Sequence, residues 1–264
     1  MNSFLNLAGK HFLITGVSNK KSVAYFVAKT LQLEGARVTL SVQNAEVLER
    51  VEKIFPDLEI FCADLSVEGK TSALATSLQN KNYKFDGMFH SMAFIRFSEG
   101  QSFNQTSWEV FSEAMRISAF SLVELSNALI PLFNRPSSIV TVSISDILAT
   151  SYGAMGPVKA TLEAAVAYLA KSLSAHGEIR VNAIGAGPLK TSASAGIPGY
   201  INNYLYAEKM TLRKKALETQ EVANLAVFLL SNASSGMNAS TYRIDAGMRV
   251  NAFDSELVNL TMEK

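Results

Sequence analysis

The chain has 264 residues, enough to bury a large core, and no break in composition marks a second domain, so one domain spanning 1–264 is expected. Apolar residues make up 48% and charged residues 18%, and a net charge of +1 removes any general electrostatic attraction to nucleic acid or an anionic membrane. A single cysteine, Cys62, excludes an internal disulfide, no apolar run reaches bilayer length and no export signal opens the chain, so a cytoplasmic location is expected.

His11-Phe-Leu-Ile-Thr15 is a short apolar run that ends at Gly16 and predicts a strand. Val23, Val27, Leu31 and Leu33 then recur at helical spacing up to Glu34-Gly35, where a glycine suits a helix end. Arg37 to Val42 predicts a second strand, Glu46 to Ile54 a helix, and Glu59 to Cys62 a third strand. Asp86 to His90, Ser138 to Val142 and Ile179 to Ala183 are three more strands, separated by helical patterns around 71–79, 109–131 and 157–174. Thr219 to Leu230 predicts a helix and Thr241 to Asp245 a seventh strand. Strands regularly separated by helix-length segments argue for a Rossmann-type, doubly wound α/β fold, a seven-stranded parallel sheet with helices on both faces.

In such sheets ligands sit beyond the carboxyl ends of the strands. Here those ends carry Gly16, Ser18 and Ser22; Gln43; Asp64; Ser91; Ser143; and Gly185 to Thr191. The first turn lacks the three-glycine dinucleotide fingerprint, but Gly16 permits a tight turn, Ser22 offers a hydroxyl, and the next helix N-terminus favours a pyrophosphate. A plain strand-to-helix turn has the same appearance. No cation follows Gln43 until Arg50, so a neutral ribose site there favours NADH over a phosphorylated dinucleotide. Asp64 either accepts from an adenine amino group or caps a helix expected after Ser66.

Ser151-Tyr-Gly-Ala-Met-Gly-Pro-Val-Lys159 places a phenol and an ammonium seven residues apart. A phenol can donate to an oxygen where negative charge develops, while a lysine holds a cofactor hydroxyl and lowers the phenol's pKa by its charge. Gly156-Pro157 predicts a helix start between about 153 and 157, because proline is tolerated in the first turn, so Tyr152 stands at the helix entrance. Leu162, Val166, Leu169 and Leu173 form its core stripe, with Glu163 and Lys171 off it.

These residues, with Thr15 to Tyr25, Gln43-Asn44, Phe85-Asp-Gly, His90-Ser91, Arg180 to Pro188, Thr191, Ile197 and Ile244-Asp-Ala-Gly247, give a chain that resembles the bacterial enoyl-acyl-carrier-protein reductases of type II fatty acid synthesis, a branch of the short-chain dehydrogenase/reductase superfamily. Carbonyl reductases of that superfamily place the tyrosine four residues before the lysine, where Met155 stands here. The resemblance implies hydride transfer from NADH to the β-carbon of a trans-2-enoyl thioester of acyl carrier protein, catalysed by Tyr152 and Lys159 in a homotetramer, with no metal site.

It implies that Gly16, Ser22, Val23, Gln43, Asp64 and Leu65 hold the adenosine and pyrophosphate, and that Ser91, Met92, Ala93, Lys159 and Thr191 hold the nicotinamide half, with main chain near Thr191 binding the carboxamide. Ile95, Ile144, Tyr152, Met155, Ile197 and Tyr200 would border the substrate, under a binding loop at about 192–210. Lys209, Arg213, Lys214 and Lys215 either steer the acidic carrier or form a solvated charge run. Three departures stand out: Ile144 occupies the place of the family's second tyrosine, leaving Ser143, Ser145 or Asp146 to substitute through water; Ala93 replaces a glycine; and Ala246 replaces a glycine with no obvious consequence. A carbonyl-reducing dehydrogenase and a nonenzymatic dinucleotide-binding protein are the rival readings. An oligomer interface is expected within Val222 to Phe253.

Overall fold

A computed structural model describes residues 4–97, 102–197 and 199–262. The strands β1 (His11–Thr15), β2 (Arg37–Val42), β3 (Glu59–Cys62), β4 (Phe85–His90), β5 (Phe133–Ile144), β6 (Ile179–Ala186) and β7 (Thr241–Ile244) form one sheet in the order 3-2-1-4-5-6-7. Every pairing is parallel, from Leu13 opposite Thr39 on one side of β1 to Ile184 opposite Tyr242 at the far edge.

The apolar runs are continuous because both faces of the sheet are covered. Phe12 and Ile14 point into a cluster with Val27, Leu31, Val222, Ala226 and Val227, supplied by α1 (Val23–Leu33) and α9 (Thr219–Leu230). Leu13, between them in β1, points the other way, to Leu78, Leu122, Val158, Leu162 and Val166. That second face is covered by α3 (Lys70–Asn80), α4 (Trp108–Met115), α5 (Ser121–Ala128) and α6 (Met155–Leu173). Leu162 is fully buried, and Leu162→Ala there costs about 2–5 kcal/mol and loosens the helix that carries Lys159.

The structure corrects several boundaries. The helix expected over 109–131 is broken by a π turn, Arg116–Phe120, and closes in a 3-10 turn, Ile130–Leu132. The two serine hydroxyls around that turn are used elsewhere: Ser118 bonds the main chain of Phe94, and Ser121 bonds His90. α2 (Ala45–Glu52) ends two residues early, where Ile54 N–H turns back to the Val51 carbonyl. Asp64 caps no helix. Its Oδ1 accepts from the main chain and hydroxyl of Ser66, while α3 starts at Lys70 behind Gly69 at φ +81°. α9 buries Val222, Ala223, Ala226, Val227, Leu229 and Leu230 in this chain's own core and leaves Leu225 and Phe228 half-buried.

β5 runs to Ile144, which places Ser143 opposite Gly185 and Ile144 opposite Ala186 at the carboxyl edge. Three further helices, α7 (Ser192–Ala195), α8 (Tyr200–Met210) and α10 (Ser255–Met262), lie outside the sheet sequence, and no helix among the described residues is long and apolar enough to cross a membrane.

Candidate active site

Strand order reverses between β1 and β4, which opens the crevice where this architecture takes a ligand. Gly16 lines it at φ +86°, and a Cβ on Gly16 would collide with the Ser91 carbonyl, so the two strand ends approach as closely as glycine allows. Ser22 caps α1, accepting from Tyr25 N–H at 3.3 Å and donating to the Asn19 carbonyl at 2.8 Å, and Val23 is buried behind it. The first turn of α1 carries no acidic residue to repel an anion.

Gln43 is exposed after β2, and Asn44 caps α2. The next cation along the chain, Arg50, is paired with Glu46 at 2.6 Å and so brings no free charge to the end of β2. Leu65 is buried beside Asp64, whose Oδ1 is taken by Ser66.

Lys159 is 4% exposed and donates to the main-chain carbonyls of Met92 at 3.2 Å and Val142 at 2.9 Å. An ammonium has three N–H donors, so one is left over for a ligand. Burial pulls its pKa down to about 8 against the opposing Glu163 carboxylate. Glu163, one turn further along α6, is held by both guanidinium nitrogens of Arg243 at 2.8 Å and by the Ser143 hydroxyl at 2.6 Å. Ser143 is therefore committed to Glu163 and is not free to replace the phenol missing at Ile144. Asp146 folds back on the Leu148 N–H.

Below Lys159, His90 is fully buried between Thr141 and Ser121. Ser121 donates to the Ile117 carbonyl at 2.6 Å, so its oxygen accepts the His90 Nε2–H, and His90 Nδ1 accepts from Thr141. Ser118 clasps both the N–H and the carbonyl of Phe94, at 2.8 and 3.1 Å. The segment Ser91 to Ile95 is thus tethered by Lys159 at Met92 and by Ser118 at Phe94. Ala93 is exposed between the two tethers, and Ile95 packs against the second core cluster.

Tyr152 ends a 3-10 turn, Thr150–Tyr152, and Gly153 at φ +59° redirects the chain before α6 starts at Met155. Its ring stacks on Phe97 at 6.4 Å. Burial, and then the neighbouring Tyr200, push the phenol's pKa well up. The expected lowering by Lys159 is not what governs it, because desolvation of the phenolate dominates. Tyr152 is therefore a protonated donor. Met155 is 3% exposed and packs in the core with Val158 and Leu162.

Thr191 caps α7 by accepting from Ser194 N–H, and the Ser192 hydroxyl meets Ser18 of the first turn at 3.1 Å, 174 positions away in sequence. Ile197 and Tyr200 are half-buried; residue 198 of the proposed loop lies outside the described residues. Tyr204 is buried under Lys190, whose ammonium lies 4.4 Å from its ring centre. The basic run is largely neutralised: Arg213 pairs with Glu221, Lys214 with Asp254 and Lys215 with Glu218. Sequence reasoning missed the Ser118 clasp, the Glu163–Arg243 pair and the bonds between Tyr200 and Leu189 described below. Only Glu163, an acid inside a core-facing helix, left a visible signal. Among the described residues no cluster of three or more His, Cys, Asp or Glu side chains is placed to hold a metal ion.

A family model described as enoyl-(acyl carrier protein) reductase matches residues 16–249. The chain is 32% identical to the enoyl-(acyl-carrier-protein) reductase (NADH) of Salmonella typhimurium over 255 residues, covering 94% of this chain and 97% of that one. It is 36% identical to the protein of the same name from Nostoc sp. over 256 residues, covering 93% and 98%. The crystal structure of the enoyl-(acyl-carrier-protein) reductase (NADH) of Aquifex aeolicus superposes with a TM-score of 0.88 at 32% identity, over 94% of this chain and 98% of that one. The Anaplasma phagocytophilum reductase in complex with NAD gives 0.86 at 29% identity, over 95% and 97%.

Proposed function

The chain belongs to the enoyl-(acyl carrier protein) reductase family, and from that membership we propose that its crevice binds NADH and reduces the C=C bond of trans-2-enoyl thioesters carried on acyl carrier protein. The residues present fit the cofactor. The Gly16–Ser91 approach leaves the α1 N-terminus open to a pyrophosphate, the neutral end of β2 suits an unphosphorylated ribose, and Lys159 keeps one donor for ribose hydroxyls.

When bound, NADH supplies the hydride that reaches the substrate's β-carbon. The π electrons of the C=C bond then move through the α-carbon onto the thioester oxygen. Tyr152, neutral and half-buried, donates a hydrogen bond to that oxygen, and a donor pre-aimed at developing charge lowers a barrier by about 3–4 kcal/mol. A proton added at the α-carbon completes the saturated thioester. Lys159 orients the cofactor ribose, and Ile95, Ile144, Ile197 and Tyr200 border the acyl chain.

The observation that carries this reading is the protonated Tyr152 phenol at the entrance of the helix whose Lys159 ammonium is buried with a donor to spare. Carbonyl reduction would need a tyrosine at position 155, where a buried methionine packs in the core. The test follows NADH absorbance with a crotonyl thioester. Wild-type protein should consume NADH, and Tyr152→Phe and Lys159→Ala should lose most of that rate. No oxidation of NADH or NADPH with any enoyl thioester by a folded sample rejects the proposal.

The same reading places the protein in the cytoplasm as a homotetramer. Exposed Trp108, Phe120 and Tyr168 on α4 to α6, with Val250 and Phe253, are the apolar surface such an assembly would cover.

A further inference from the structure

The Tyr200 ring borders the acyl chain, but its hydroxyl is turned to the main chain. The Tyr200 hydroxyl accepts from the Leu189 N–H and donates to the Leu189 carbonyl, each at 2.9 Å. Leu189 is 7% exposed and sits between the carboxyl end of β6 and Thr191, on the main chain that faces the nicotinamide in the reading above. The Ser194 hydroxyl and the Thr191 N–H also donate to that carbonyl, at 2.8 and 3.1 Å, and fix its direction. An N–H and a C=O presented side by side by one residue complement a primary carboxamide, which offers one acceptor oxygen and an N–H donor. A phenol hydroxyl offers one donor and one acceptor from a single atom, so it satisfies the same pair. Two occupants cannot hold it together.

We propose that Tyr200 is an internal competitor for the nicotinamide carboxamide, because its hydroxyl holds the Leu189 pair that the carboxamide needs and must leave it when the carboxamide binds. The inference rests on the assignment of this crevice to NADH. Tyr200 is the first residue of α8, directly behind Gly199 at φ +69°, so a small backbone rotation at the glycine moves the ring without disturbing the sheet. The competition lowers apparent NADH affinity by the fraction of molecules in which the pair is open.

Tyr200→Phe keeps the ring and removes the competing hydroxyl. Wild type and variant are titrated with NADH and, separately, with ADP-ribose, which carries the adenosine, pyrophosphate and ribose but no carboxamide. Two hydrogen bonds of ordinary net strength predict NADH binding tighter by about tenfold in the variant, with ADP-ribose affinity unchanged. Equal or weaker NADH binding by the variant overturns the proposal. Parallel tightening of both ligands overturns it too, because that is a general loosening of the crevice. If neither protein binds either ligand, the assignment of the crevice to NADH falls and the proposal with it, an outcome set apart by the loss of ADP-ribose binding.

Discussion

His90 makes the fold acid-sensitive in a way that can be isolated. Burial, reinforced by the nearby Lys159 ammonium, lowers its pKa from 6.5 to about 3, whereas in the unfolded chain it titrates normally. Between those values the unfolded state binds the extra proton and the native state does not, so stability falls as pH falls from 6.5 toward 3. The slope rises from half of about 1.4 kcal/mol per pH unit at pH 6.5 to nearly all of it below pH 5.5, so moving from pH 6.5 to 4.5 removes about 2 kcal/mol, a large share of a typical total of about 5–15 kcal/mol. Urea unfolding of wild type and His90→Gln at several pH values provides the assay. The variant starts less stable, having lost the fit between Thr141 and Ser121, but the carboxylates titrate alike in both proteins. Wild type should lose about 2 kcal/mol more than the variant over that interval. Parallel loss in the two proteins would refute the claim that a neutral, buried His90 underlies the acid sensitivity.

Three other outcomes follow from the same geometry. Gly16→Ala combines a left-handed backbone, about 1–2 kcal/mol for any L-residue, with a collision against the Ser91 carbonyl; calorimetry should show ADP-ribose binding lost, and binding equal to wild type would contradict the close approach. Ala246, read in the sequence as inconsequential, sits at φ +53°, so Ala246→Gly relieves backbone strain of about 1 kcal/mol and should raise the melting temperature by about 2–4 °C. Lys159 must be protonated to present its third donor as an ammonium, so kcat/KM, which reports the free enzyme, should fall as pH rises through about 8, and Lys159→Met should lack that limb.

The sheet was legible because burial on both faces writes each strand as an unbroken apolar run, as in His11 to Thr15, and each helix as a stripe, as in Leu162 to Leu173. Tyr152 and Lys159 stand out in the sequence by their spacing, and the helix start by Pro157. The π turn does not. Ser118 within it and Ser121 after it resemble in sequence the outer face of an ordinary helix, and their bonds to the Phe94 main chain, to His90 and to the Ile117 carbonyl exist only in the fold. The Leu189 pair escaped because main-chain groups leave no letter in the sequence, and Asp64 was ambiguous because one carboxylate suits a helix cap and an Asx turn equally. The direction of the phenol's pKa was not legible, since it is set by burial and then by Tyr200, neither of which the spacing shows.

Enoyl reduction requires hydride to go to carbon conjugated with a thioester and not to a carbonyl. Running the reaction with NADH deuterated at the transferable position, with a crotonyl thioester, and locating the label in the product by NMR tests it directly. Deuterium on the β-carbon of a saturated butyryl thioester, with the α-carbon taking its hydrogen from solvent, is the predicted result. Label on a carbinol carbon, or a thioester recovered with its double bond intact and unlabelled, would contradict it.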